Sequence, residues 1–152
     1  MRLMLFTACE KVIQDPNSGT SLIDLFQEIG VAVPSAAEVP IDAVIPKDWA
    51  AFALWALDEA EIGSPFAMKI QIFWPDGKLF LENRVPQAEI TKKPYLSFTV
   101  RMTVLPMGQS GKMKIKVWLV EGETAVTEPN ETDVMVRLIH DDNMVQARGG
   151  AL

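Results

Sequence analysis

The sequence predicts an all-β fold: an antiparallel β-sandwich of seven to eight strands, with at most one or two short helices. Three observations carry this. Apolar and polar residues alternate at period two in several segments, as half-buried strands require. Turn-forming residues recur between those segments at roughly 8–15-residue intervals, the spacing of sandwiches and barrels. The composition is globular, with 49% hydrophobic and 22% charged residues in a chain of 152. That length suits one domain whose core needs no metal or disulfide staple. The domain is expected over residues 1–145, with a disordered tail at 146–152.

The elements follow in order. RLMLFTACEKVI (2–13) reads as a strand, apolar on both faces in its first half. QDPNSGT (14–20) is dense in turn formers. SLIDLFQEIGVAV (21–33) sets Ile23, Leu25, Ile29, Val31 and Val33 in one parity and reads as a strand. A helix through Leu22, Leu25, Phe26 and Ile29 is the competing pattern. Residues 34–48 form a long connection holding Pro34, Pro40 and Pro46. WAAFALWALDEAEIG (49–63) stays open. Its alanines favour a helix capped by Asp48, while Trp49, Ala51, Ala53, Trp55 and Leu57 fit a strand buried on both faces.

PFAMKIQIFWPDGKLFLEN (65–83) reads as a hairpin. Phe66, Met68, Ile70, Ile72 and Trp74 share a face, Pro75 pre-sets φ, and Gly77 takes the left-handed position. YLSFTVRMTV (95–104) and KMKIKVWLV (112–120) are strands joined by PMGQSG, which predicts a second hairpin. TDVMVRLIH (132–140) is the last strand.

The framework F-T-x-C-E-K-V-I-x-D (6–15), S-L-I-D-L-F (21–26), the Pro-rich connector, W-P-D-G (74–77) and L-P-x-G (105–108) resembles a bacterial family of short proteins catalogued only as a domain of unknown function. The similarity spans nearly the whole chain. It implies an all-β fold and turns 49–63 toward strand. It brings no activity, cofactor or functional residue.

The net charge of −6 and pI of about 4.8 argue against nucleic acid, because phosphate binding requires clustered cations. The one basic cluster, Lys112, Lys114 and Lys116, has period two and reads as one face of a strand. A single cysteine makes no internal disulfide and suits a reducing cytoplasm. No run reaches the ~20 apolar residues of a membrane helix. FTAC loosely resembles a lipoprotein cleavage box, but only six residues separate Arg2 from Cys9, short of the roughly 7–15 apolar residues of a secretory segment.

Cys9 reads as a small buried hydrophobe. Its neighbour Glu10 is not placed to activate it, since adjacent strand residues face opposite ways. A Cys9–His140 pair formed in three dimensions is the surviving nucleophile reading. His140, Asp141 and Asp142 are consecutive and lack a second ligand cluster, so no metal is expected, and no cofactor motif is present. Among Trp49, Trp55, Trp74 and Trp118, the last shares the face of the three lysines. A large aromatic on a polar face is a contact candidate. Met135 and Ile139, on the polar parity of the last strand, raise the same question.

The expected role is a non-catalytic binding or assembly module for a protein partner or for a second copy of itself, with Trp118, Trp49, Trp55 and Met135 as candidate contacts. The alternative is a small-ligand or carbohydrate-binding domain that uses Trp49, Trp55 or Trp118. The remote alternative is an enzyme that uses Cys9.

Overall fold

Two sheets account for the period-two segments in the computed structural model, which describes residues 1–17 and 19–143. The expected tail, 146–152, lies outside the described residues. The first sheet, A, has the order β2–β1–β4–β7, built from β1 (Arg2–Asp15), β2 (Gly19–Leu25), β4 (Val44–Ala56) and β7 (Tyr95–Pro106). The second, B, has the order β3–β10–β8–β5–β6, from β3 (Glu28–Pro34), β5 (Phe66–Phe73), β6 (Leu79–Pro86), β8 (Gly111–Glu121) and β10 (Asn130–Asp141). The two-residue β9 (Thr124–Ala125) pairs with β8. The chain is an all-β sandwich, and a 3₁₀ turn at Glu59–Glu61 is the one helical element assigned before the last two described residues.

The strand count exceeds the expectation because 21–33 is two strands, not one, and because the short β9 adds another. Phe26 still donates its N–H to Ala8 O of sheet A at 3.2 Å, while Met135 of sheet B already donates to Gln27 O at 2.7 Å. The chain thus changes sheets within two residues, and β3 runs parallel to β10. Every other strand pair is antiparallel.

The open segment 49–63 resolves as strand over its first half, in β4. Trp49, Ala51, Ala53 and Trp55 face sheet B, and Ala50 and Phe52 are buried on the opposite side. Small residues let β4 be covered on both faces, which overrides their helix propensity. The hairpin predicted at 65–83 forms as β5–β6. Gly77 donates to Trp74 O at 2.9 Å and adopts φ 89°, a value that suits glycine.

The second predicted hairpin does not form. β7 belongs to sheet A and β8 to sheet B, so residues 107–110 cross between sheets. Turn residues allow either a tight return or a crossing; the partner strands decide, and β7 finds β4 while β8 finds β5 and β10. The crossing also holds the Pro-rich connector. Met107 and Gly108 both donate to Ala43 O, at 2.9 and 3.0 Å, and Gln109 Nε2 donates to Ile41 O at 3.3 Å. The connector is therefore a docked strap.

The inter-sheet core contains Trp49, Trp55, Phe66, Met68, Ile70, Phe98, Leu105, Met113, Ile115 and Leu119. A second cluster, Cys9, Val12, Ala50 and Phe52, lies on the outer face of sheet A with Leu22 and Leu54 against it.

Candidate functional site

The two outer sheet faces differ in kind. Ladder partners share a face, so the register gives the rows of side chains directly. On sheet B, Lys69 stands opposite Trp118, Lys116 opposite Glu131, Lys114 opposite Asp133, and Lys112 opposite Met135. Nearly every row is charged. Glu131 bridges Lys114 and Lys116 at 3.0 and 2.9 Å, and Lys116 also sits 5.3 Å from the Phe73 ring centre. The two lysines, Lys116 first, hold the Glu131 carboxyl below its ordinary range. The predicted basic stripe is thus matched by acids that the neighbouring strand supplies.

On sheet A the outer rows are Leu25–Cys9–Ala50–Arg101, Thr7–Phe52–Thr99, Leu5–Leu54–Ser97 and Arg2–Ala56–Tyr95. Between the two arginine-bearing rows no side chain is charged. Leu25, Leu5 and Tyr95 are exposed at 60%, 40% and 47%, and Met4, pushed out by a bulge between Leu3 and Leu5, at 56%. Cys9, Ala50 and Phe52 are buried at the centre of this apolar face, and the large apolar side chains at its margins reach solvent. Its sequence signal was the doubled apolar parity of 2–9 and 49–57. That pattern says both faces are apolar and does not say that one is left uncovered.

The candidate residues are dispersed. Trp49 and Trp55 are 1% and 0% exposed, so they present no ring to a ligand or partner at the surface, which corrects their reading as contact residues. Each faces the opposing sheet, and the Trp49 indole N–H donates to Val104 O at 2.8 Å. Trp118 is half-buried on the charged face of sheet B. Met135, also half-buried, lines a shallow depression with Ser110, Gly111 and Ile139. Trp74 is half-buried, edge-on to Phe80 at 5.2 Å.

Cys9 and His140 do not meet. Cys9 is fully buried in the outer cluster of sheet A, and His140 lies exposed on β10 of sheet B. The side chain of Glu10 pairs with Lys47 at 3.1 Å. Burial alone pushes the Cys9 thiol upward. Asp141 accepts from Asn143 N–H at 2.8 Å, and the Ser35 hydroxyl bonds Asp142.

These facts set a chemical expectation. Iodoacetamide at pH 8 should leave native Cys9 unmodified and label it fully in denaturant, read by intact mass. Native labelling at the denatured rate would refute the burial. A raised thiol pKa favours the protonated fold, so this contribution is present below the unfolded thiol's pKa and declines above it. Replacing Cys9 with alanine should flatten that alkaline decline in a pH series of unfolding midpoints.

No family model matches the chain. No curated protein matches it either. Among solved structures the chain is similar to an immunoglobulin-like protein from Pseudomonas aeruginosa, at 15% identity over 88% of this chain and 93% of that one, with a TM-score of 0.36.

Proposed function

We propose that the protein is a non-catalytic binding or assembly module that works by protein–protein contact, and that it self-associates through the outer face of sheet A. The observation that carries this is the uncharged stretch Thr7, Phe52, Thr99, Leu5, Leu54 and Ser97 on that face. Around it Met4, Leu5, Leu25 and Tyr95 leave large apolar area in solvent, which association would remove at a gain of roughly 25 cal/mol per Å². A broad apolar sheet face with exposed margins suits a second sheet face. In this reading the protein acts in the cytoplasm, as its single buried cysteine suits. Nucleic acid and membrane are not its partners, consistent with the negative net charge and the acid-matched lysines. No helix among the described residues is long and apolar enough to cross a membrane. The motif resemblance to a bacterial family of unknown function fits a role of this kind without specifying it.

Light scattering at two concentrations tests the reading. The wild-type chain should weigh about twice its 16.8 kDa at the higher concentration. Leu5→Glu, a change at a 40% exposed position, should return it to a monomer by placing unpaired charge in the contact. Trp118→Ala, on the other sheet, should leave the mass unchanged. A wild-type monomer at every concentration would sink self-association, and a dimer lost with Trp118 would move the contact to sheet B.

A further inference from the structure

The β1–β4 ladder stops at its Cys9–Ala50 pair. Beyond it β1 continues to Asp15 beside β2, and β4 comes up from Val44 beside β7. Two irregularities lie where the strands part. β4 shifts register between Pro46 and Trp49. β1 and β2 skip a pair at Glu10–Asp24, where Asp24 adopts φ 52°, the one positive φ outside glycine among the described residues. Such a value is uncommon off glycine, and aspartate is among the residues that tolerate it.

The result is a cleft of about 610 Å³ between the diverging strands, within the range of ~300–1,000 Å³ seen for ligand sites. Its floor is apolar, formed by Val12, Ile23, Ala50 and Met102, with Trp49 beneath. Arg101 and Asp48 stand on its rim, and neither has an ion-pair partner among the described residues. Its walls are two strand edges. β1 past Cys9 has no ladder partner on the β4 side, and β4 before Ala50 has none on the β1 side.

We propose that this cleft binds the free carboxyl end of a short apolar peptide, laid between β1 and β4 as an extended strand. The unladdered edges offer main-chain donors and acceptors to such a segment, as in strand addition at a sheet edge. The walls run over Glu10–Val12 and Asp48–Ala50. At ~3.4 Å per residue that length seats about three residues. Alternate side chains of the peptide meet the apolar floor. Arg101 supplies a planar fork of donors that matches a terminal carboxylate. Asp48 on the same lining disfavours acidic side chains on the peptide, and the Glu10 carboxylate there is already paired with Lys47. The cleft lies at the Ala50–Arg101 end of the outer face of sheet A, beside the uncharged stretch assigned to self-association, and shares none of that stretch's six residues.

The test is a titration of the ¹⁵N-labelled chain with the tripeptide Ala-Leu-Leu as free acid, followed by amide shifts. The free acid should move the amides of Glu10–Val12 and Asp48–Ala50 and the Trp49 indole N–H, and should saturate. The C-terminally amidated peptide should bind at least about tenfold more weakly, and so should the free acid to Arg101→Gln. Thr103→Trp, at an exposed position lining the mouth, should abolish binding with the spectrum otherwise retained. No saturable shift at about 5 mM peptide would overturn the proposal. So would equal binding of acid and amide, equal binding of free leucine, or shifts centred elsewhere.

Discussion

Trp55→Ala is expected to lower unfolding free energy by about 3–5 kcal/mol, the range for removing a buried large aromatic. That is a large share of the ~5–15 kcal/mol that holds a domain folded. Trp55 is 0% exposed and packs edge-on against Phe98, ring centres 5.9 Å apart. Trp55→Phe is expected to cost much less, because the Trp55 indole N–H is buried without a hydrogen-bond partner among the described residues. Deleting it removes a standing penalty of about 1–3 kcal/mol, which offsets lost ring area. Trp49→Phe runs the other way. It deletes the 2.8 Å bond to Val104 O and leaves that carbonyl short of a donor. It should therefore cost about 1–3 kcal/mol more than Trp55→Phe. Urea unfolding followed by far-UV circular dichroism measures all three without relying on tryptophan emission. Equal costs for the two phenylalanine variants would show that the Trp49 bond contributes nothing.

Gly108→Ala is expected to cost about 3 kcal/mol, the upper end of overpacking effects. A Cβ at this position would lie 2.3 Å from Pro40 O and 2.5 Å from Ile41 O. Both obstacles are backbone, so no side-chain rotation relieves them. The strap must lift, and the hydrogen bonds from Met107 and Gly108 to Ala43 O lengthen with it. Gly63→Ala is the matched control. It has open space around the new Cβ and only an unfavourable φ of 90°, so its cost should be smaller, about 1 kcal/mol. Thermal melts rank the pair, and hydrogen exchange at Met107 and Gly108 should quicken in the first variant alone. Equal destabilisation by the two changes would mean that the strap is not held at Gly108.

Much of the fold was legible because strand side chains alternate, and period two is a local property of the chain. β5, β7, β8 and β10 could be read from three to five alternating apolar residues each, and the Trp74–Gly77 turn from its own sequence. β4 was harder. Its alanines carry a helical preference that only burial on two sides outweighs, and burial on two sides belongs to the whole molecule.

The site was less legible than the fold. Trp118 and Met135 stood out because they break the polar parity of charged strands, yet parity does not say whether an aromatic touches a partner or its own neighbours. Trp49 and Trp55, in a segment left open between strand and helix, were named as candidate contacts, and both are buried in the core. The outer face of sheet A emerges only when Leu5, Phe52 and Thr99 are brought into adjacent rows from three distant segments. The β1–β4 cleft has no sequence signature, since it is a gap between strands that stop pairing.

The sequence by itself determined that this is an all-β chain, that Glu10 faces away from Cys9, and that the net charge is negative. These follow from periodicity, adjacency and composition, which need no knowledge of distant contacts. Only the tertiary structure decided which strands pair, that Phe26–Gln27 hands the chain from one sheet to the other, and that residues 107–110 cross between sheets. Only it decided which apolar faces are covered. Strand pairing is non-local, and a period of two names two faces without saying which of them meets water.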